Sequence, residues 1–157
     1  MSIGRELDVS YWNLCTAGER NAAHNHTPMI LLLIALGGAA GSVLRYLVGG
    51  RIQHFATHGF PVGTLSVNVV GCLLIGILAQ LFLNMQTSGP WRAVLMVGFC
   101  GGFTTFSTFS FETVGLIEGG DYGRAVAYIS LSVILCVAAT FAGMTLMRTM
   151  LSVGHAR

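Results

Sequence analysis

Four apolar segments dominate the sequence, and each is long enough to cross a bilayer as a helix. They cover residues 29–50, 61–84, 91–117 and about 122–148, and a transmembrane helix needs about 20 predominantly apolar residues. Of the 157 residues, 54% are hydrophobic and 9% are charged, whereas about a quarter of a soluble domain is charged. The sequence therefore predicts an all-α integral membrane protein with four transmembrane helices.

The two ends of the chain differ in character from these segments. Residues 1–28 are polar, mixed in charge and without the apolar core of a signal peptide. We expect a disordered or loosely attached tail there. His24 and His26 alone do not make a metal site. Residues 149–157 are expected to form a short basic tail. The membrane domain is thus predicted to occupy residues 29–148.

One stretch of the third span is poorly suited to an unbroken, lipid-facing helix. Residues 98–112 read GFCGGFTTFSTFSFE; glycine lowers helix propensity, and hydroxyl side chains compete for the backbone. Non-helical backbone at membrane depth is tolerated only where protein buries it or where it lines a water-filled path. We therefore predict that the third helix is broken and that this stretch belongs to a pore or a binding site.

Polar side chains also share one face of the second span and one face of the fourth. Thr64 and Asn68 are four residues apart and therefore lie on the same helix face. The fourth span carries a polar stripe with the same spacing, consisting of Tyr128, Ser132, Cys136 and Thr140. Asn68 either bonds a neighbouring helix, typically worth about 1 kcal/mol in membranes, or offers amide donors to a ligand. The hydroxyls of the stripe can also bond their own backbone carbonyls.

The conspicuous polar groups within the spans are neutral hydrogen-bond donors. They are Asn68, Thr104, Thr105, Ser107, Thr108, Tyr128 and Ser132. No catalytic constellation of His, Asp, Glu and Cys occurs in the spans, so an enzyme is not expected. A net charge of +2 gives no nucleic-acid surface. Neutral donors suit a small anion that exchanges its hydration water for protein hydrogen bonds. Phe106 and Phe109 could add the electropositive edges of their rings.

Two charged residues near the ends of the spans leave alternatives open. Arg45 either snorkels to the interface, as helix-end arginines commonly do, or lines an anion vestibule. Glu112 is the only carboxylate inside a span, at a position that the interface can hydrate. An exporter of organic cations is the alternative function. It is disfavoured, because a cation carrier normally needs an acid at mid-membrane and Glu112 is the sole acid in the spans. A non-transporting membrane subunit is a third hypothesis.

The distribution of arginines leaves the orientation in the bilayer open. Outside the N-terminal tail, three arginines fall on each side: Arg92, Arg148 and Arg157 against Arg45, Arg51 and Arg124. A balanced count permits dual topology, in which copies insert both ways and pair antiparallel. Since four short helices can hardly enclose a path alone, we expect a homodimer.

Three motifs of the sequence resemble those of the CrcB/Fluc fluoride channels. They are GGAAGSVLRY at residues 37–46, GTLSVNVVG at residues 63–71 and GFCGGFTTFSTF at residues 98–109. The resemblance covers residues 29–148. It implies an antiparallel, dual-topology homodimer in the cell inner membrane with two pores, which exports fluoride passively from the cytoplasm and confers fluoride resistance.

The resemblance also implies roles for individual residues. Phe106 and Phe109 would line each pore from opposite subunits, and Asn68 would face the same pathway. Backbone carbonyls of Gly101 and Thr104 would hold a structural sodium ion at the dimer centre, where a glycine-rich break frees oxygens for a hard cation. The remaining pathway residues would be Thr64, Ser107, Thr108, Tyr128 and Ser132, with Arg45 near the vestibule and Cys136 where a hydroxyl is expected.

Overall fold

A computed structural model describes residues 27–56, 59–84 and 90–155. The first two spans are α1 (Thr27–Phe55) and α2 (Val62–Asn84). The third comprises α3 (Pro90–Arg92), a π-helix (Ala93–Cys100), α4 (Gly101–Phe103) and α5 (Phe106–Glu118), and the fourth is α6 (Tyr122–His155). Most of the predicted N-terminal tail, with His24 and His26, lies outside the described residues. No strand occurs within the described ranges.

Four helical segments are long and apolar enough to cross a membrane. They are Pro28–Phe55, Val62–Asn84, Pro90–Glu118 and Tyr122–Ser152. This confirms the prediction of an all-helical, multi-pass membrane protein. The helix of the fourth span continues to His155, into the region expected to be a tail, because no glycine or proline interrupts residues 144–153.

The second and fourth spans pack closely and run in the same direction. Near their beginnings, Thr64 and Tyr128 bind one carboxylate, while further along Arg148 Nε donates to Gln80 Oε1 at 2.9 Å. Between these points, a Cβ atom added to Gly76 would overlap the Thr140 carbonyl, and one added to Gly143 would overlap the Leu73 carbonyl. Glycine allows the two backbones to approach this closely.

The first span packs against the π-helix and α4 through a second set of glycines. A Cβ atom on Gly41 would overlap the Phe99 carbonyl, and one on Gly102 would overlap the Gly38 carbonyl. Ser42 Oγ donates to the Gly102 carbonyl at 3.4 Å in the same seam. The third span is thereby held between the first and second spans at the point where its π-helix is followed by α4.

The helices of the third span are separated by two residues with extended backbone. Thr104 has φ −89° and ψ 155°, and Thr105 has φ −149° and ψ 116°. The preceding π-helix ends at Cys100, and π-helical turns are frequent at functional sites. The site described below is organised around these two threonines.

Candidate functional site

The side chain of Asn68 pairs with the backbone of Thr105. Asn68 Nδ2 donates to the Thr105 carbonyl at 3.2 Å, and the Thr105 N–H donates to Asn68 Oδ1 at 2.8 Å. In a bilayer the polar groups of a non-helical residue cost several kcal/mol each when unsatisfied. One side-chain amide therefore satisfies both backbone groups of Thr105, which favours the interpretation that Asn68 bonds a neighbouring helix. These two bonds use one of the two amide N–H donors of Asn68.

The same threonine caps the helix that follows it. The Thr108 N–H donates to Thr105 Oγ1 at 3.2 Å, which makes Thr105 the N-cap of α5. On the other side, the N–H and Oγ1 of Thr104 donate to the Cys100 carbonyl at 2.9 and 3.0 Å. Side chains and local turns thus satisfy the backbone N–H groups of Thr104, Thr105 and Thr108.

These bonds divert two helical donors from their usual acceptors. In a continuous α-helix the Thr105 N–H would bond the Gly101 carbonyl, and the Thr108 N–H would bond the Thr104 carbonyl. Both N–H groups bond side chains instead, those of Asn68 and Thr105. The carbonyl oxygens of Gly101 and Thr104 therefore lack their usual helical donors.

Glu112 lies at the centre of a second hydrogen-bonded group. Thr64 Oγ1 donates to Glu112 Oε1 at 2.8 Å, and the Tyr128 hydroxyl donates to Glu112 Oε2 at 2.7 Å. Tyr128 is completely buried. The carboxylate thus connects the second, third and fourth spans, and two of the predicted pore hydroxyls donate to it.

A cavity of about 240 Å³ opens beside these two groups. Its polar wall consists of Arg45, Gln53, Thr64, Thr105, Thr108 and Glu112. The Arg45 Nε atom is buried and has no hydrogen-bond partner among the described residues. The arginine side chain therefore contributes to a cavity that also presents neutral hydroxyls and one carboxylate.

The aromatic residues extend from the break toward the fourth span. The ring centroids of Phe106 and Phe109 are 5.4 Å apart, and those of Phe109 and Tyr128 are 5.1 Å apart. Phe106 is 79% exposed in the single chain, and Ser107 beside it is exposed. These rings form a row that leads from an open surface to the buried tyrosine.

The polar stripe of the fourth span faces the interior of the bundle. Ser132 is 7% exposed, and its hydroxyl has no hydrogen-bond partner among the described residues. Further along, Thr140 Oγ1 donates to the carbonyl of Cys136 at 3.1 Å. The Thr140 hydroxyl therefore bonds a backbone carbonyl of its own helix, whereas the Ser132 hydroxyl can hydrogen-bond a ligand.

The predicted site residues are not all brought to one place. Arg45, Thr64 and Thr108 line the cavity, and Asn68 supports it through Thr105. Other predicted residues lie outside its lining in the part of the chain that the structure describes: Phe106, Ser107, Phe109, Tyr128 and Ser132. Thr104 is the first residue of the break, and Gly101 begins the short helix α4 before it.

Two residues of the site have roles that the sequence did not indicate. Gln53 Nε2 donates to the Phe60 carbonyl at 3.0 Å, and Gln53 Oε1 accepts from the Gly63 N–H at 2.9 Å. This side chain ties the end of α1 to the beginning of α2. Glu112 is the other such residue. Its status as the only acid within a span was a usable signal, whereas a glutamine near a helix end gave none.

Comparison with known proteins places the chain among close relatives. Residues 32–144 match the family described as "CrcB-like protein, Camphor Resistance (CrcB)". A Sulfurovum protein named "Fluoride-specific ion channel FluC" is 46% identical over 77% of this chain and 95% of its own length. Proteins of the same name from Rhizobium etli and Nitrobacter winogradskyi are 48% and 50% identical, over 96% and 94% of their lengths.

Proposed function

Because the chain belongs to the CrcB family, we propose that it is a fluoride-selective ion channel and not an enzyme. It would export fluoride passively from the cytoplasm across the cell inner membrane and so confer fluoride resistance. The observation that carries the proposal is the similarity to proteins named as fluoride channels, at 46–50% identity over 94–96% of their lengths. The family match covers residues 32–144 and so includes at least part of each of the four spans.

The side chains around the cavity support anion passage. Thr108 and Arg45 line the cavity, and the Arg45 Nε and Ser132 Oγ atoms are buried without partners within the described ranges. A buried donor without a partner costs about 1–3 kcal/mol, so an anion that accepts from it recovers part of that cost. We assign the pore to the predicted set: Arg45, Thr64, Asn68, Phe106, Ser107, Thr108, Phe109, Tyr128 and Ser132.

The proposed channel is an antiparallel, dual-topology homodimer with a broken third helix and two pores. The third span exposes large apolar side chains both before and after its two non-helical residues, among them Val97 at 64% and Phe106 at 79%. A second subunit would cover these side chains and would complete a pathway that a single chain leaves open along Phe106. The balanced arginine count is compatible with either orientation in the bilayer.

A structural sodium ion at the dimer centre fits the residues present. The carbonyls of Gly101 and Thr104 have lost their helical donors to Asn68 and Thr105, and oxygen atoms are the ligands that hard cations take. These carbonyls from both subunits would hold the ion. When bound, it would supply a fixed positive charge that offsets passing anions.

Fluoride efflux from liposomes tests the proposed function directly. Liposomes that contain purified protein, loaded with potassium fluoride, should release fluoride to an ion-selective electrode when valinomycin balances the charge, while chloride-loaded liposomes should retain chloride. Phe106→Ile and Asn68→Ala should each reduce fluoride efflux strongly. Efflux that neither substitution changes would contradict the pore assignment, and an absence of fluoride efflux from the wild type would contradict the channel.

The alternative, an exporter of organic cations, is less well supported. Its only acid within a span, Glu112, already accepts hydrogen bonds from Thr64 and Tyr128, so the carboxylate is engaged on both oxygens. Proton-coupled transport of an organic cation that Glu112→Gln abolishes would revive this alternative. Liposomes that pass no ion of any kind would favour the non-transporting subunit.

A further inference from the structure

Two cysteines lie on neighbouring helices, one turn from a tight contact between the second and fourth spans. Gly76 contacts the backbone of Thr140, and Cys72 and Cys136 each lie one turn before these residues. Because α2 and α6 run in the same direction, stepping back one turn on both helices brings the two cysteines together. The Cys72 and Cys136 thiols are close enough to influence each other electrostatically.

The pair differs from the other cysteine described nearby. Cys72 and Cys136 are both partly exposed, whereas Cys100 on the third span is 1% exposed. Within the described residues, no group of three His, Cys, Asp or Glu side chains is placed to hold a metal ion. A zinc site with three or four protein ligands is therefore not formed. Cys100 is also within electrostatic reach of Cys72, but it is buried, so the accessible thiols are those of Cys72 and Cys136.

Cys136 also belongs to the polar stripe of the fourth span. It lies one turn after Ser132 and one turn before Thr140, and its carbonyl accepts from the Thr140 hydroxyl. A bulky group attached at Cys136 would therefore lie on the same helix face as Ser132. A modification of this thiol can affect whatever passes along the stripe.

We propose that Cys72 and Cys136 form an intramembrane dithiol site that captures trivalent arsenicals and thereby closes the pathway along the fourth span. An organoarsenic oxide reacts with both thiols to form two arsenic–sulfur bonds. The arsenic–oxygen bond breaks, and the oxygen leaves as water with the two thiol protons. Arsenic stays trivalent throughout, so no oxidant or reductant takes part.

The arsenic adduct of the two cysteines is compatible with an apolar site in the membrane. The adduct is neutral and leaves no uncompensated charge in an apolar environment. The second arsenic–sulfur bond forms within one molecule, where the effective concentration of the second thiol is in the millimolar range. A dithiol therefore binds the reagent far more tightly than either cysteine alone. The bridge also fixes α2 to α6 beside Ser132, where the attached group excludes an anion. This last step rests on the proposed function.

Intact-mass measurement of the purified full-length protein tests the capture itself. Phenylarsine oxide should add one phenylarsenic group per chain, with loss of two hydrogens, and excess 2,3-dimercaptopropanol should remove it. Cys72→Ser and Cys136→Ser should each weaken the capture by roughly 100-fold, the scale of a lost second attachment. Cys100→Ser is the matched control from the neighbouring span and should bind as the wild type does, as should Cys15→Ser. Undiminished capture by Cys72→Ser would overturn the proposal.

A measurement on the wild-type protein does not depend on the folding of any variant. Digestion of the adduct should release peptides that contain Cys72 and Cys136 joined through one arsenic atom. A bridge between any other two cysteines would overturn the site.

Fluoride efflux then separates the site from the channel. Phenylarsine oxide should reduce wild-type efflux to the level of empty liposomes, whereas Cys72→Ser should keep its own untreated rate. Capture by a protein without efflux before treatment would overturn the channel but not the site. Efflux without capture would overturn the site but not the channel.

Discussion

Asn68 satisfies both backbone groups of Thr105 with one side-chain amide, through bonds of 2.8 and 3.2 Å. An extended residue between two helices would otherwise expose an N–H and a carbonyl at membrane depth. The pairing has a second effect, because it withdraws the Thr105 N–H from the Gly101 carbonyl. One side chain thus stabilises the non-helical backbone and also separates the Gly101 carbonyl from its usual helical donor.

Replacement of Asn68 by Leu should lower stability and abolish fluoride efflux. The substitution is nearly isosteric but leaves both backbone groups of Thr105 without partners, at about 1–3 kcal/mol each. Asn84→Leu is the control, because Asn84 is exposed near the end of the same helix and, among the described residues, its side chain donates to the Gln80 carbonyl of its own helix. Thermal unfolding in detergent and liposome efflux would measure both effects. An Asn68→Leu protein as stable as Asn84→Leu would contradict the role of the pairing.

The removal of the Tyr128 hydroxyl should destabilise the bundle. Tyr128→Phe leaves one carboxylate oxygen of Glu112 without its donor, and hydrogen bonds to charged groups contribute about 1.5–3 kcal/mol. Tyr122→Phe serves as the matched control, since Tyr122 is 65% exposed at the start of the same helix. Chemical unfolding in detergent should separate the two variants. Equal stabilities would show that the Tyr128–Glu112 bond is energetically neutral.

The four spans and the poor helix-forming tendency of residues 98–112 could be predicted because both are local properties of the sequence. Length and apolar composition set the spans, and the glycines and hydroxyls indicate poor helix formation. The partners of the third span could not be predicted in the same way. Glu112 meets Thr64 and Tyr128, which lie 48 and 16 residues away in sequence, and only the packing of three spans brings them together.

Asn68 illustrates why hydrogen-bond partners cannot be read from a helix face alone. Its position within an apolar run indicated a protein-facing amide, but the same pattern suited either a neighbouring helix or a ligand. The structure gives it a backbone partner on α5's N-terminal side. Gln53 shows the limit more plainly, because its two partners, Phe60 and Gly63, lie across a connection whose path the sequence does not indicate.

Sodium should stabilise the folded protein if the Gly101 and Thr104 carbonyls hold it. A ligand that binds only the folded state adds about 2.7 kcal/mol at 100 times its dissociation constant. Thermal unfolding in detergent should therefore shift upward as sodium replaces N-methylglucamine at constant ionic strength. Choline is the control cation, because it is too large for a cage of carbonyl oxygens. A midpoint that is the same in all three cations would contradict the sodium site.

Replacement of Gly76 by Ala should separate the second and fourth spans. The added Cβ atom would overlap the carbonyl of Thr140, and backbone cannot move aside as the end of a flexible side chain can. Overpacking typically costs about 1–3 kcal/mol, and here it would also pull apart the cysteine pair one turn away. Thermal unfolding in detergent and capture of phenylarsine oxide should therefore both decrease.

The control for this prediction is Gly115→Ala, which adds the same methyl group to a helix. Gly115 has no atom within 4 Å of such a Cβ, so alanine there should be neutral or stabilise α5 by about 0.5–1 kcal/mol. The two variants share their chemistry and differ only in what the methyl group meets. If Gly76→Ala were as stable as Gly115→Ala and captured the arsenical equally well, this result would contradict the close approach of α2 and α6. The cysteine pair that depends on this approach would then have no structural basis.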